Sequence, residues 1–262
     1  MATDLMHGEG RSIARRLDFD GAQSNYFGVT PARGAPLTAG AFVGDVAGGG
    51  SCNAQVLQLA PHCHGTHTEG VGHVTAARHD VLDVIPSRRL SALLITLPER
   101  RAADTTDALP PVTTPLDRVL VASDLAAAWP AETTPDALII RTLPNPTDKA
   151  HARYTDSDDY AYLTMSTMAH IVSRGVLHLL IDTPSLDRLD DGGHLAVHRL
   201  YWGLPPGSTD RSEATRGDAT VTEMIYVPDD IEDGHYGLAL QPAPFTGDAT
   251  PSNPTLYPLE AS

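Results

Sequence analysis

Three short apolar runs limit the folds open to this chain: residues 89–97 (RLSALLITL), 137–142 (ALIIRT) and 176–181 (VLHLLI). Each is almost continuously apolar, the pattern of a strand buried on both faces. Helical segments lie between and beyond them. Ser123 ahead of residues 124–129 reads as a capped short helix stopped by Pro130. Thr164 can cap a helix running to about Arg174, with Met168, Ile171 and Val172 on one apolar face and Gly175 as the stop. Residues 194–202 read as a further helix closed by Gly203 and Pro205, and residues 219–227 and 236–241 as late strands. Strands and helices mix along the whole length without a strict βαβ rhythm, which predicts one α/β domain with a mixed sheet.

Charge removes several classes of partner. The 262 residues carry 33 acidic and 18 basic side chains, a formal charge of −15. A nucleic-acid backbone reader needs clustered Lys and Arg, and so does a polybasic membrane-surface protein. No apolar stretch approaches the roughly 18 residues of a membrane span. The first 16 residues hold His7, Glu9, Arg11, Arg15 and Arg16 and no apolar signal core. Two cysteines build no disulfide framework, so a reduced, cytoplasmic protein acting on a small molecule is expected. Residues 1–40 are polar and broken by Gly and Pro, apart from a short helix near 11–17. They read as an arm that packs late or covers a site. A main domain is expected over 41–242, with a long loop over 143–159. A Pro-rich, irregular tail is expected over 243–262.

Residues 52–59 alternate apolar and polar like a half-buried strand and run into the densest His cluster of the chain, PHCHGTHTEGVGH at 61–73. Five N or S donors (His62, Cys63, His64, His67, His73) and one carboxylate (Glu69) fall within twelve residues. These are the side chains that bind zinc or a similar ion. Gly65, Gly70 and Gly72 let the backbone turn sharply enough for several of them to converge. His67 and Glu69 are two apart, so in extended backbone they share one side. Gly48-Gly49-Gly50 lacks the Lys and Ser/Thr of a phosphate loop and reads as a flexible turn.

The run Cys63-His64-Gly65-Thr66-His67-Thr68-Glu69-Gly70-Val71-Gly72-His73 resembles the signature of the cyclase-like metal hydrolases, His-x-Gly-Thr-His-x-Asp-x-Pro-x-His. That family includes bacterial kynurenine formamidase and isatin hydrolase. Ile181-Asp182-Thr183-Pro184-Ser185-Leu186-Asp187 is similar to its Gly-x-Asp-Thr-Pro-Ser-x-Asp stretch, and Thr222-Glu223-Met224 to its closing Glu-Asn-Leu strand. The resemblance covers roughly residues 40–230. Cys63, Glu69 and Val71 stand where the family has His, Asp and Pro, which marks a divergent subfamily.

The resemblance implies a barrel-like mixed sheet flanked by helices, of the swivelling β/β/α type. It implies one metal held by Cys63, His67 and Glu69 and a second by Glu69, His198 and Glu223. His62 or His64 remains open as the first ligand in place of Cys63. The implied cofactor is Zn2+, one or two ions, with Mn2+ as the other admissible metal, and the implied assembly is a homodimer or homotetramer. The implied reaction is hydrolysis of a non-peptide amide C–N bond, arylformamidase-like, with His73 as general acid/base. The alternatives are a cyclic amide, imide or lactone hydrolase or cyclase, or a metal- or small-molecule-binding protein without turnover. His194 and His198, four apart, are expected on one helix face. Asp182 reads as a turn residue in preference to a support for a ligand His. Asp187 and Arg188 read as a local pair, and Trp129 and Trp202 as core.

Overall fold

The computed structural model describes residues 9–259; residues 1–8 of the expected arm and 260–262 of the expected tail lie outside the described residues. Nine strands form the main sheet: β1 (Arg11–Ser12), β2 (His67–Glu69), β3 (Leu90–Pro98), β4 (Ala137–Leu143), β5 (His178–Ile181), β6 (Thr220–Glu223), β7 (Gly234–Ala239), β8 (Ala249–Pro251) and β9 (Thr255–Pro258). Their spatial order is β1-β9-β7-β3-β4-β5-β6-β2-β8. The centre, β3 to β6, is parallel, and the strands on both sides of it are antiparallel. The sheet curls into a half-barrel, so the expected mixed α/β domain is what forms.

The three apolar runs occupy the centre as β3, β4 and β5. Leu93, Ile95 and Leu97 of β3 pack on one face with Leu138, Ile140, Leu179 and Ile181, under Met168, Ile171, Val197 and Trp202 from the helices. Leu90, Ala92 and Leu94 pack on the other face with Ile139, Leu180, Ile13, Leu238 and Leu256. Both faces are dry, which explains continuous apolar runs in place of alternation.

The centre does follow a βαβ rhythm. Helices α1 (Ala122–Ala128), α2 (Met165–Ser173) and α3 (Ala196–Trp202) connect β3 to β4, β4 to β5 and β5 to β6 in turn. Long irregular insertions beside each helix hide that rhythm in the sequence. Thr164 caps α2, its Oγ1 accepting from Thr167 N at 3.0 Å. The start of α1 is different from the expectation: Ser123 lies inside the helix, and Ala122 N donates to Asp107 Oδ2 at 2.8 Å.

Three further expectations change. Gln55–Gln58 does form a strand, but it pairs with Arg33–Pro36 in an exposed ribbon and is not half-buried. The tail carries β8 and β9, because both find open edges: β8 pairs with β2 and β9 with β7. The arm contributes β1 on β9, not a helix. Arg15 then anchors it, its buried guanidinium donating to the carbonyls of Ile225 and Asp182 and to Tyr154 Oη. Among the described residues no helix is long and apolar enough to cross a membrane.

His178 at the start of β5 is buried, its Nδ1 2.9 Å from Thr220 Oγ1, and burial pushes its pKa from 6.5 down to about 4. Above pH 6.5 the ring is neutral in both folded and unfolded chains. As pH falls from 6.5 to 4, the unfolded chain takes up the proton first, so stability declines by up to about 3 kcal/mol. His178→Gln should flatten that decline in urea unfolding followed against pH. Identical slopes in the two proteins would contradict this account of the ring.

Candidate metal centre

The pairing of β6 with β2 builds the floor of the site. It sets Glu223 opposite His67 and Val221 opposite Glu69. Directly opposed residues share a face, and so do residues two apart on one strand. His67, Glu69 and Glu223 therefore project together at the carboxyl end of the parallel strands. Thr68 and Thr222 project the other way, where their hydroxyls meet at 2.8 Å. A slip of one residue would exchange the two sets.

His198 reaches the same point from α3. Asp187 caps that helix, Oδ1 accepting from Val197 N at 2.8 Å and Oδ2 from His198 N at 3.0 Å. The same Oδ2 accepts from His198 Nδ1 at 2.7 Å, so one carboxylate starts the helix and orients the ring. His198 Nε2 then lies 3.1 Å from Glu69 Oε1 and 3.3 Å from Glu223 Oε1. His67 Nε2 lies 3.5 Å from Glu223 Oε2 and 4.0 Å from Glu69 Oε2. The ligand atoms of His67, Glu69 and Glu223 all lie within 4.8 Å of one another, and ligands of one ion held at about 2.1 Å stand about 3.4 Å apart; His198 meets the other oxygen of each carboxylate.

The far nitrogen of each ring decides where its lone pair points. His67 Nδ1 donates to the Gly65 carbonyl at 3.0 Å, and His198 Nδ1 to Asp187, which leaves both Nε2 atoms as acceptors. Among the described residues, seven buried side-chain polar atoms lack a hydrogen-bond partner. Four of them are here: His67 Nε2, both Glu69 oxygens and His198 Nε2. Lone pairs facing carboxylate oxygens call for positive charge between the atoms, a bound cation or, at His198, a proton. The chemistry of the donor set, two imidazoles and two carboxylates, suits a borderline dication such as zinc or manganese. In protonation terms the same demand is visible. Burial disfavours the charged forms, yet His73, His198 and His62 hold Glu69 well below the usual carboxylate range. Asp187, Glu223 and Glu69 likewise hold His198 well above its ordinary value against burial.

A second group lies on the outer side of Glu69. His62, Glu69 and His73 offer ligand atoms within 4.8 Å of one another. His62 Nδ1 is 2.9 Å from Glu69 Oε2, and its Nε2 is 2.9 Å from Asp248 Oδ2. His73 Nδ1 is 3.8 Å from Glu69 Oε2 and 3.7 Å from Asp248 Oδ2. Burial opposes charge on His62, but Asp248 and Glu69 carry its pKa up to about 10.

The structure thus brings together His67, Glu69, His198, Glu223 and His73, and it leaves Cys63 out. Cys63 closes the 3-10 turn Pro61–Cys63 and packs against the aromatic cluster of Tyr26, Tyr154 and Tyr160. Burial pushes its thiol pKa up. Of the open alternatives, His62 reaches Glu69, whereas His64 is spent on the loop. Its Nδ1 accepts from Ala60 N at 2.8 Å and its Nε2 donates to the Thr30 carbonyl at 3.0 Å.

His194 is exposed and precedes α3, so it does not share a helix face with His198. Asp182 holds Thr142 and Lys149, and Arg188 pairs with Asp117, not with Asp187. Trp202 is core and donates to the Ala219 carbonyl behind His198. Sequence reasoning missed the parts played by Asp187 and Asp248. Asp187 had a signal, its place in the Asp-Thr-Pro-Ser-Leu-Asp motif. Asp248, 186 positions from His62, had none.

Residues 17–188, more than half of the chain, match the Cyclase family ("Putative cyclase"). No curated protein is matched by sequence. Solved structures share the fold over nearly the whole chain. One is a predicted metal-dependent hydrolase from Bacillus stearothermophilus, 12% identical, TM-score 0.57, covering 95% of this chain and 97% of its own. Another is isatin hydrolase A from Labrenzia aggregata, bound to benzyl benzoate, 13% identical, TM-score 0.57, covering 95% and 93%. A third, a cyclase, is 14% identical with TM-score 0.60, covering 97% and 88%. The lone pairs of His67 and His198 directed at Glu69 and Glu223, on this sheet, thus go with a sequence match that is decisive by its extent: the chain belongs to the Cyclase family.

Proposed function

We propose that the protein is a metal-dependent hydrolase of non-peptide amide C–N bonds, arylformamidase-like in the substrate it takes. One observation carries this reading: the unpartnered buried atoms of His67, Glu69 and His198 converge with the Glu223 carboxylate, the far ring nitrogens of both imidazoles being already engaged. A divalent cation bound there, Zn2+ or Mn2+, supplies Lewis acidity toward a carbonyl oxygen and lowers the pKa of water toward neutrality.

The remaining work falls to the chain's own residues. Asp187 keeps His198 in one tautomer and one orientation, and Gly65 does the same for His67. His73 sits at the rim, its side chain 27% exposed and its Nδ1 beyond hydrogen-bond reach of both nearby carboxylates. It is free to accept a proton at Nδ1 and return it to the leaving nitrogen. Tyr26 and Tyr160, with hydroxyls 3.0 Å apart, are buried in the aromatic cluster beside Cys63, and Phe27 against Tyr26 is exposed. An exposed ring there suits an aryl substituent on the substrate.

Isatin hydrolases among the fold neighbours favour a second reading, a cyclic amide opened by the same site. A panel of N-formyl arylamines, lactams and cyclic imides separates the two.

Chelation should remove the metal and abolish amide hydrolysis, and added Zn2+ or Mn2+ should restore it. Activity that survives in demonstrably metal-free protein would end the hydrolase reading. Glu69→Gln should lower metal content as well as turnover. His73→Ala should cut kcat by about 10²- to 10⁴-fold while the inner ion stays bound. Cys63→Ala should retain its metal content, measured by elemental analysis; loss of the ion would restore the thiol as a ligand.

A further inference from the structure

We infer that Arg15 and Thr66 form one latch that sets the turn after Glu223, so that docking of the N-terminal arm raises the affinity of the metal centre for its cation. Both are positioning residues. The inference rests on the metal centre of the hydrolase reading and on none of its chemistry.

Glu223 is the last residue of β6, and its pairing with His67 is the last rung that β6 makes with β2. End rungs open easily unless the chain beyond them is held. The next residue, Met224, is buried and left-handed, with φ at 53°, a conformation that disfavours any side chain with a Cβ. Such a residue persists only where its surroundings over-determine it. Met224 N donates to the Thr183 carbonyl at 2.9 Å, and Ile225 N to the Ile181 carbonyl at 3.2 Å. The Met224 carbonyl accepts from Thr66 Oγ1 at 2.6 Å. Thr66 precedes His67, so its hydroxyl supplies the rung that the backbone ladder lacks.

The arm orients that hydroxyl. Arg15 N donates to Thr66 Oγ1 at 2.8 Å, which leaves the hydroxyl proton for Met224. The Arg15 side chain then grips the far end of the turn. Its Nε donates to the Ile225 carbonyl at 3.2 Å, and its Nη2 to the Asp182 carbonyl and, at 3.0 Å, to Tyr154 Oη. Asp182 begins the segment that runs to Asp187, the support of His198. The guanidinium is buried, its remaining partner is Ser24 Oγ, and among the described residues no carboxylate pairs with it. A charge so placed is costly for mere docking of an arm. Its planar fork does what an apolar anchor does not, joining the ends of β5 and β6 at once.

Equilibrium dialysis of the metal-free protein against Zn2+ alone tests the latch, each variant first being shown by circular dichroism to be folded without metal. Arg15→Met and Thr66→Val should each weaken Zn2+ binding about 10-fold or more, whereas Thr66→Ser, which keeps the hydroxyl, should retain it. The double variant should lose no more than the weaker-binding single one, because both residues act on one turn. Arg11→Met, which frees the same arm from Asp230 at the surface, should leave affinity unchanged. A folded Arg15→Met or Thr66→Val that binds Zn2+ as tightly as the unaltered protein overturns the latch and leaves the hydrolase reading standing. Additive losses, or an equal loss in Arg11→Met, overturn it as well. Should Arg15→Met not fold, Thr66→Val, which keeps the shape of the side chain, decides alone. If the unaltered protein binds no Zn2+, the hydrolase reading falls and the latch with it.

Discussion

Glu69 is a carboxylate with no exposure, set between two antiparallel neighbours and ringed by four imidazoles. Removing such a charge from water costs several kcal/mol unless positive charge meets it inside the protein. The elements around it supply that charge or orient what does. β2 presents His67, the turn before it presents His62, the turn after it presents His73, and α3 presents His198. Each of these is local in the chain except His198, so the carboxylate is the point where a distant helix is tied to the N-terminal half. Removing its charge would leave the four imidazoles without a common partner.

The supports one layer out show the same economy of means. Asp187 both caps α3 and turns His198, so helix register and ring orientation cannot vary independently. Asp248 turns His62 from a loop that the β2–β8 pairing holds in place. Arg15 closes the far side, joining the arm to the backbone at Asp182 and Ile225, just beyond the ends of β5 and near that of β6. A site assembled from strand ends and tied on three sides holds its ligands to a narrow geometry. Its rim, made of His62 and His73, keeps contact with solvent.

Much of this was legible in the residues themselves. The dry central strands followed from their unbroken apolar runs, and α2 from Thr164 and Gly175. His67 and Glu69 were readable as partners because a two-residue spacing in a strand fixes a shared side. His198 and Glu223 came from resemblance, since no local rule links them to residue 67. The choice among His62, Cys63 and His64 was not legible. Three adjacent donors on a 3-10 turn point in three directions, and their neighbours decide which one faces inward. Cys63 meets aromatic rings, His64 meets backbone, and His62 meets Glu69 and Asp248.

By itself the sequence determined the central strands and helices, the net charge of −15, and the presence of a stretch dense in metal-binding donors, because these depend on composition and short-range spacing. The tertiary structure decided the ligand set, the part played by Asp187, and the recruitment of Asp248 from a tail that reads as irregular. Those depend on which strand edges pair and in which register. A β-edge accepts any extended segment that reaches it, so proline-broken residues 249–258 became β8 and β9 only once β2 and β7 offered open edges.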